Sequence, residues 1–209
     1  MILGSGWASF PLATALDPRK YQVILVSPRS YFVFTPLLAE AACGTIELRT
    51  TVEPVRDRRR TNIRYVQAWA DSVDYENRKV RVEEAVVDPR QGYGLTAGKG
   101  AGEAEGSDKD RQLKVQKEEA KGRMFDLDYD KLVIGVGCYL QTFGTPGVKE
   151  HAYFLKDVGD ARKIRRRLLD CFEMAAMPTI GEEVRKQLLT FAIVGYVLVN
   201  EWMFLLVGY

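Results

Sequence analysis

The chain has one histidine, His151, in 209 residues. A lone imidazole excludes histidine-rich metal centres and leaves Ser-His-Asp catalysis a poor fit. Cysteine is scarce: Cys43, Cys138 and Cys171 are odd in number and far apart, with no CxxC or CxxxxC pair. That argues against a disulfide framework and thiol–disulfide chemistry, and for a reducing compartment. Net charge is also missing. Thirty Lys+Arg against 28 Asp+Glu leave +2, which excludes a uniformly basic nucleic-acid binder and an acidic disordered chain. No basic segment precedes an apolar one at the N-terminus, so there is no signal-peptide pattern. The apolar stretch Phe191–Tyr209 has no Lys or Arg at its far end and carries Asn200 and Glu201 in its middle. An acid at the centre of a bilayer is costly, so a membrane anchor is the minority reading of that stretch. With so few catalytic side chains on offer, any chemistry belongs to an organic cofactor.

What is present is a strand–turn–helix–strand unit. Ile2-Leu3 is a short apolar stub, followed by Gly4-Ser5-Gly6-Trp7-Ala8-Ser9 and a short helix through Phe10–Leu16 that Asp17-Pro18 ends. Gln22–Ser27 is a continuous apolar run, as a strand buried on both faces requires. In such a unit the first glycine permits a tight turn and the second lets backbone approach a pyrophosphate. A small third residue lets helix and strand pack closely. Ser9 in the third position and Ser27, where an acid usually meets a ribose, are departures from that pattern. An ordinary glycine turn is the competing reading. Only three residues precede Gly4, fewer than such a strand normally supplies, so the N-terminus reads as clipped.

Further along, residues 31–49 form a dense aromatic and aliphatic loop, and Arg56–Arg60 a basic run. Ile63–Gln67 is a strand. Val73–Val82 is a hairpin turning at Glu76-Asn77-Arg78. Residues 83–123 carry seven of the 18 glycines and too little apolar surface to offset their ordering entropy. They read as a disordered insertion. Phe125–Tyr129 alternates, and Lys131–Gly137 is a buried strand ending in glycines. Two such glycine clusters separated by a hairpin favour FAD over NAD for this half, since glycines allow close backbone approach to a cofactor. Asp157–Ala176 is the strongest helix. Val158, Ala161, Ile164, Leu168, Phe172 and Ala175 fall at helical spacing, with Asp157 as N-cap and Asp160 three residues on. Glu182–Leu189 is a second helical segment. Phe191–Gly195 reads as a buried parallel strand. The arginines of Arg162–Arg167 are a solvated face, with contact to anionic lipid as the alternative.

Several blocks carry a resemblance: GSGW at Gly4–Trp7, SPRSYFVFTPLLAEAACGT at Ser27–Thr45, TFGTPGV at Thr142–Val148, and FLKDVGDARKIRRRLLDCFEMA at Phe154–Ala175. They resemble the type II (alternative) NADH:ubiquinone oxidoreductases of fungal mitochondria. FAIVG at Phe191–Gly195 resembles the start of that family's NADH-binding unit. The resemblance implies an α/β fold: an FAD-binding Rossmann-like domain with a β-meander, truncated before the second dinucleotide-binding domain. Residues 1–148 would be the FAD domain, including the 83–123 insertion. Residues 149–190 would be linking helices, and 191–195 the first strand of the second domain. Residues 196–209 would be an aberrant tail, foreign to the fold and consistent with intron read-through.

The same resemblance implies that Gly4, Gly6 and Ser9 hold the FAD pyrophosphate. Ser27, Pro28 and Arg29 line its adenosine end. Thr35, Pro36, Leu37 and Leu38 lie near the isoalloxazine ring. Gln67 and Ala68 offer backbone to adenine, and Gly135 and Gly137 pass beside the cofactor. NADH and ubiquinone would be the substrates, and the inner mitochondrial membrane a peripheral partner. A homodimer is an open arrangement. No nucleic acid, metal or catalytic acid or base is implied. Tyr196-Val197-Leu198 stands where the family carries its second glycine turn, so the chain as written is expected not to oxidise NADH efficiently. Rival readings are another two-domain FAD oxidoreductase, a non-catalytic flavin-binding or interaction protein, and a membrane-anchored fragment.

Overall fold

The computed structural model describes residues 1–57, 62–85, 122–138, 145–194 and 203–207. In chain order the elements are β1 (Ile2–Leu3), α1 (Ser9–Ala15), β2 (Val23–Val26), β3 (Tyr31–Val33), α2 (Leu38–Cys43), β4 (Val52–Pro54), β5 (Ile63–Val66), β6 (Ala68–Asp74), β7 (Lys79–Glu84), β8 (Met124–Asp128), β9 (Val133–Ile134), α3 (Val148–His151), β10 (Ala152–Leu155), α4 (Val158–Ala176), α5 (Glu182–Leu188), β11 (Phe191–Val194) and β12 (Met203–Val207). Short 3-10 turns cover Thr35–Leu37 and Leu48–Thr51. The chain divides into two units. One is Met1–Phe32 with Glu53–Cys138, the other Val33–Val52 with Tyr139–Tyr209.

The first unit is built on a parallel sheet of order β5-β2-β1-β9. Its inner strands β1 and β2 are short but apolar on both sides, because each face is covered, whereas Val133 and Ile134 of the edge strand β9 are exposed. Ile2, Val23 and Leu25 pack with Phe10 and Ala13 of α1 and with Phe32, Val55 and Tyr65. Leu3 and Val26 point the other way, onto Ala68, Val80 and Val82 of the second sheet. That sheet is antiparallel, β6-β7-β8. Its hairpin is fixed by Asp74, whose carboxylate accepts from the Asn77 N–H at 2.9 Å and the Asn77 side-chain amide at 2.7 Å. These bonds favour the ionised form and hold the Asp74 carboxyl below its usual range. Strand β7 runs through Glu84, two residues into the stretch read as an insertion, and Glu83 pairs with Met124 of β8. The body of the expected insertion, residues 86–121, lies outside the described residues.

In the second unit, residues read as a loop contain a helix. Leu38–Cys43 is rich in alanine, a strong helix former. Gly44, at φ 83°, supplies the left-handed residue that closes the helix. Helix α4 starts where the acid pair placed it. The Asp157 carboxylate accepts from the Val158 N–H at 2.6 Å, and Asp160 reaches back to the N–H of Asp157 at 3.1 Å, a reciprocal capping box. Ala161, Ile164, Cys171 and Ala175 form its buried stripe. Phe172, expected on that face, is 53% exposed, its ring tilted 6.0 Å from that of Phe191. Burial pushes the Asp160 carboxyl up to about 6, against the opposing pull of the Lys156 and Asp157 N–H groups. Arg185 of α5 donates from Nε to the Ala175 carbonyl at 3.0 Å, satisfying one of the carbonyls that the end of α4 leaves unpaired.

The remaining sheet departs from the sequence reading. Its order is β10-β12-β11 and both pairings are antiparallel. Phe191–Val194, expected as a parallel strand, lies antiparallel to Met203–Val207, with Phe191 opposite Val207. Met203–Val207, within the stretch 196–209 read as foreign to the fold, is the middle strand of this sheet. An apolar run states that a strand can be covered, but not which direction its neighbour runs. Gly195 and residues 196–202 lie outside the described residues. No helix among the described residues is long and apolar enough to cross a membrane.

Candidate functional site

The parallel sheet turns outward from β1 to β2 and β5 on one side, then to β9 on the other. The crevice at such a reversal, beyond the carboxyl ends of the strands, is where open α/β sheets bind ligands. Gly4 and Gly135 both lie at that edge. The Gly4 N–H donates to the Val26 carbonyl at 2.7 Å, and the Gly135 N–H to the Leu3 carbonyl at 2.9 Å. Gly4 has φ 101°, and a methyl group on it would run into the Gly135 carbonyl. A methyl on Gly135 would meet the Ser9 hydroxyl. These two glycines are therefore required by the protein's own packing.

Ser9 completes this interlock. Its buried hydroxyl lies 3.2 Å from the Leu3 carbonyl and 3.1 Å from the Gly135 carbonyl, so α1 is tied to the ends of β1 and β9 together. The Phe10 N–H closes the first helical turn onto the Gly6 carbonyl at 2.9 Å. Gly6 differs from Gly4. Apart from its chain neighbours, no described residue lies within 4 Å of where its side chain would begin. Gly137, at φ 74°, is equally open. A glycine that the fold itself does not crowd fits a place where an outside group approaches the backbone. The turn therefore suits a dinucleotide pyrophosphate at Gly6.

Beside the turn, the loop after β2 is held by buried hydroxyls. Ser5 Oγ lies 2.9 Å from Ser27 Oγ, 3.2 Å from the Tyr31 carbonyl and 3.3 Å from the Arg29 carbonyl. The Arg29 N–H donates to Ser27 Oγ at 3.2 Å. The Tyr65 hydroxyl donates to the Ser27 carbonyl at 2.7 Å, and burial pushes its pKa up. The Arg56 guanidinium sits 5.0 Å from the centre of the Tyr65 ring. Gln67 joins the network, its amide 3.4 Å from the Pro28 carbonyl and its backbone carbonyl accepting from the Ala85 N–H. The Ala68 N–H donates to the Ser27 carbonyl at 3.3 Å.

The fold thus brings Gly4, Gly6, Ser9, Ser27, Pro28, Arg29, Gln67, Ala68, Gly135 and Gly137 into one unit. Thr35, Pro36, Leu37 and Leu38 belong to the other unit, on the 3-10 turn and the start of α2, where Leu38 is buried in packing. Sequence reasoning missed Ser5 and Tyr65. The signal for Ser5 was a second hydroxyl, Ser27, at the end of the neighbouring parallel strand. Among the described residues no group of three or more His, Cys, Asp or Glu could hold a metal ion. Cys43, Cys138 and Cys171 are not in disulfides.

A parallel sheet that reverses at β1 and β9, with an uncrowded glycine in the turn that opens α1, defines a dinucleotide-binding protein of the Rossmann class. Residues 1–195 match the model of the pyridine nucleotide-disulphide oxidoreductases, and the chain belongs to that family. It is 39% identical over 196 residues to the external alternative NAD(P)H-ubiquinone oxidoreductase B4, mitochondrial, of Arabidopsis thaliana, covering 93% of this chain and 29% of that protein. It is 38% identical over 198 residues to the external alternative NADH-ubiquinone oxidoreductase, mitochondrial, of Yarrowia lipolytica, again covering 93% and 29%. The solved structure of NDH2 from Plasmodium falciparum in complex with NADH aligns with a TM-score of 0.66 at 32% identity, over 89% of this chain and 32% of that one. The chain therefore spans about a third of the length of these relatives. They come from a plant and a protozoan as well as a yeast, so the likeness is wider than the fungal family of the sequence reading.

Proposed function

We propose that this chain is the FAD-binding part of a type II NADH:ubiquinone oxidoreductase of the fungal mitochondrial kind, working at the periphery of the inner membrane. The observation that carries the reading is the turn at Gly4–Gly6. One of its glycines is demanded by the fold and the other faces open space at the sheet's switch point. The likeness to alternative NAD(P)H-ubiquinone oxidoreductases over 93% of the chain supports it.

FAD, when bound, supplies the two-electron chemistry that links a nicotinamide to a quinone. The chain's own part is to hold and orient. Gly6 would leave room for the pyrophosphate at the backbone, Ser9 ties α1 to the ends of β1 and β9, and Ser27, Pro28 and Arg29 would hold the adenosine end. Thr35–Leu38 are proposed for the isoalloxazine neighbourhood, and Gln67 and Ala68 for adenine. Tyr196-Val197-Leu198 follow β11 in the sequence in place of a second glycine turn, so NADH lacks its pyrophosphate seat in this chain.

The test is reconstitution of the purified 209-residue chain. We expect stoichiometric FAD retention through gel filtration, with a protein-bound flavin spectrum, and no NADH:quinone turnover. A chain that folds but returns free of flavin after incubation with excess FAD would overturn the cofactor assignment. Turnover with NADH and a soluble quinone would overturn the assignment of an incomplete NADH site.

A further inference from the structure

We propose that Ser5 is a positioning residue for the adenosine end of the cofactor. It forms with Ser27 a hydroxyl clasp that fastens the 27–31 loop to the glycine turn, in place of a ribose-binding carboxylate. The inference rests on the FAD reading above and deepens it.

A serine hydroxyl has one hydrogen to give and two lone pairs to receive with. Ser5 Oγ faces two carbonyls, of Tyr31 at 3.2 Å and Arg29 at 3.3 Å, neither of which can donate. The 2.9 Å approach of the two hydroxyls is a hydrogen bond that ties the turn to the loop whichever of them donates. Ser27 in turn accepts from the Arg29 N–H at 3.2 Å. The two serines are 2% and 4% exposed. Ser27 thus serves the loop's own network from the position where an acid would bind a ribose oxygen.

The chain Arg29 N–H to Ser27 to Ser5 to Tyr31 crosses from the loop to the turn and back. It is polar, buried and fully paired, which makes it stiff and intolerant of a missing member. Tyr65 and Ala68 hold the Ser27 carbonyl from the other side. The loop's backbone is set before the nucleotide arrives, so a ligand need not spend affinity on ordering it.

The experiment measures FAD dissociation constants by flavin fluorescence on the full chain. It compares Ser5→Ala, Ser27→Ala, the double variant, and Thr14→Ala on the exposed side of α1 as a control. Ser5→Ala is expected to weaken FAD binding about tenfold, the equivalent of one hydrogen bond, and to weaken competing ADP by the same factor. Ser27→Ala should match it, and the double variant should be no worse than about twofold beyond either single, since the two form one unit. Each single variant leaves buried partners unpaired, so flavin-free Ser5→Ala and Ser27→Ala should melt below the parent and within about 2 °C of each other. FAD binding by Ser5→Ala within twofold of the parent would overturn the clasp, as would losses that multiply in the double variant. A Ser5→Ala melting temperature well below that of Ser27→Ala would also overturn it, assigning Ser5 a structural role outside the pair. If Ser5→Ala does not fold, Ser27→Ala carries the same comparison. A parent chain that binds neither FAD nor ADP would sink the FAD reading itself, and the clasp with it.

Discussion

Two four-residue apolar strands look alike on paper and end in different surroundings. Val23–Val26 of β2 sits between parallel neighbours, with α1 on one face and the β6-β7-β8 sheet on the other. Leu25 there is fully buried. Phe191–Val194 of β11 has an antiparallel neighbour, and Ile193 is 65% exposed. A parallel pair needs a long crossover, and the crossover itself supplies a cover for the sheet. An antiparallel pair needs only a turn and can leave a face bare. Apolar composition thus reports what a strand can bury, and connectivity decides what it does bury.

Substitutions can sharpen or break this contrast. The largest effect is expected from Gly4→Ala, which combines a positive φ with a collision against the Gly135 backbone. The two terms together cost about 4 kcal/mol and remove flavin retention. Urea denaturation of the purified variant reads the loss, and a cost under 1 kcal/mol would show that the turn can relax. Leu25→Ala should follow at about 3 kcal/mol, with the m-value unchanged, because the surrounding elements cannot all close on the cavity.

A third prediction concerns the cap of α4. The Asp160 carboxyl titrates at about 6 in the fold against an ordinary value of 3.8. The native state therefore binds this proton more tightly than the unfolded chain does. Its contribution to stability is full below about pH 4, is lost as the pH rises towards 6, and is level above that. The change across the window is about 2 to 3 kcal/mol. Relative to the parent chain, Asp160→Asn should flatten the stability profile in this window. A parallel pair of pH profiles would show that Asp160 does not carry the slope. The smallest effect belongs to the exposed strand, where Ile193→Ser should change stability by no more than about 0.5 kcal/mol. A loss near that of Leu25→Ala would erase the contrast between the two strands.

Local chemistry was legible where a few neighbouring residues decide the outcome. The spacing of Asp157 and Asp160 announced the start of α4, and Gly4, Gly6 and Ser9 announced the turn between β1 and α1. The helix at Leu38–Cys43 was obscured by the aromatic residues before it, although its alanines and Gly44 were sufficient signals. Phe172 was misplaced because a 3.6-residue period drifts. After Ile164 and Leu168 the buried stripe moves to Cys171 and Ala175. Strand β12 was missed because a pairing partner is a tertiary fact, absent from any single window. The Ser5–Ser27 pair is of the same kind. Its members are 22 residues apart and meet only because β1 and β2 lie side by side in parallel.

The place of β1 in its sheet also bears on how the protein is made. Ile2 pairs with Leu25 on one side and with Val133 on the other. The first partner leaves the ribosome soon after β1 does, while the second is more than a hundred residues away. At about 5–20 residues per second, β1 waits on the order of ten seconds with one edge unpaired. Gly135 arrives with that late strand, so the crevice proposed for the nucleotide is among the last features of its unit to be completed during synthesis.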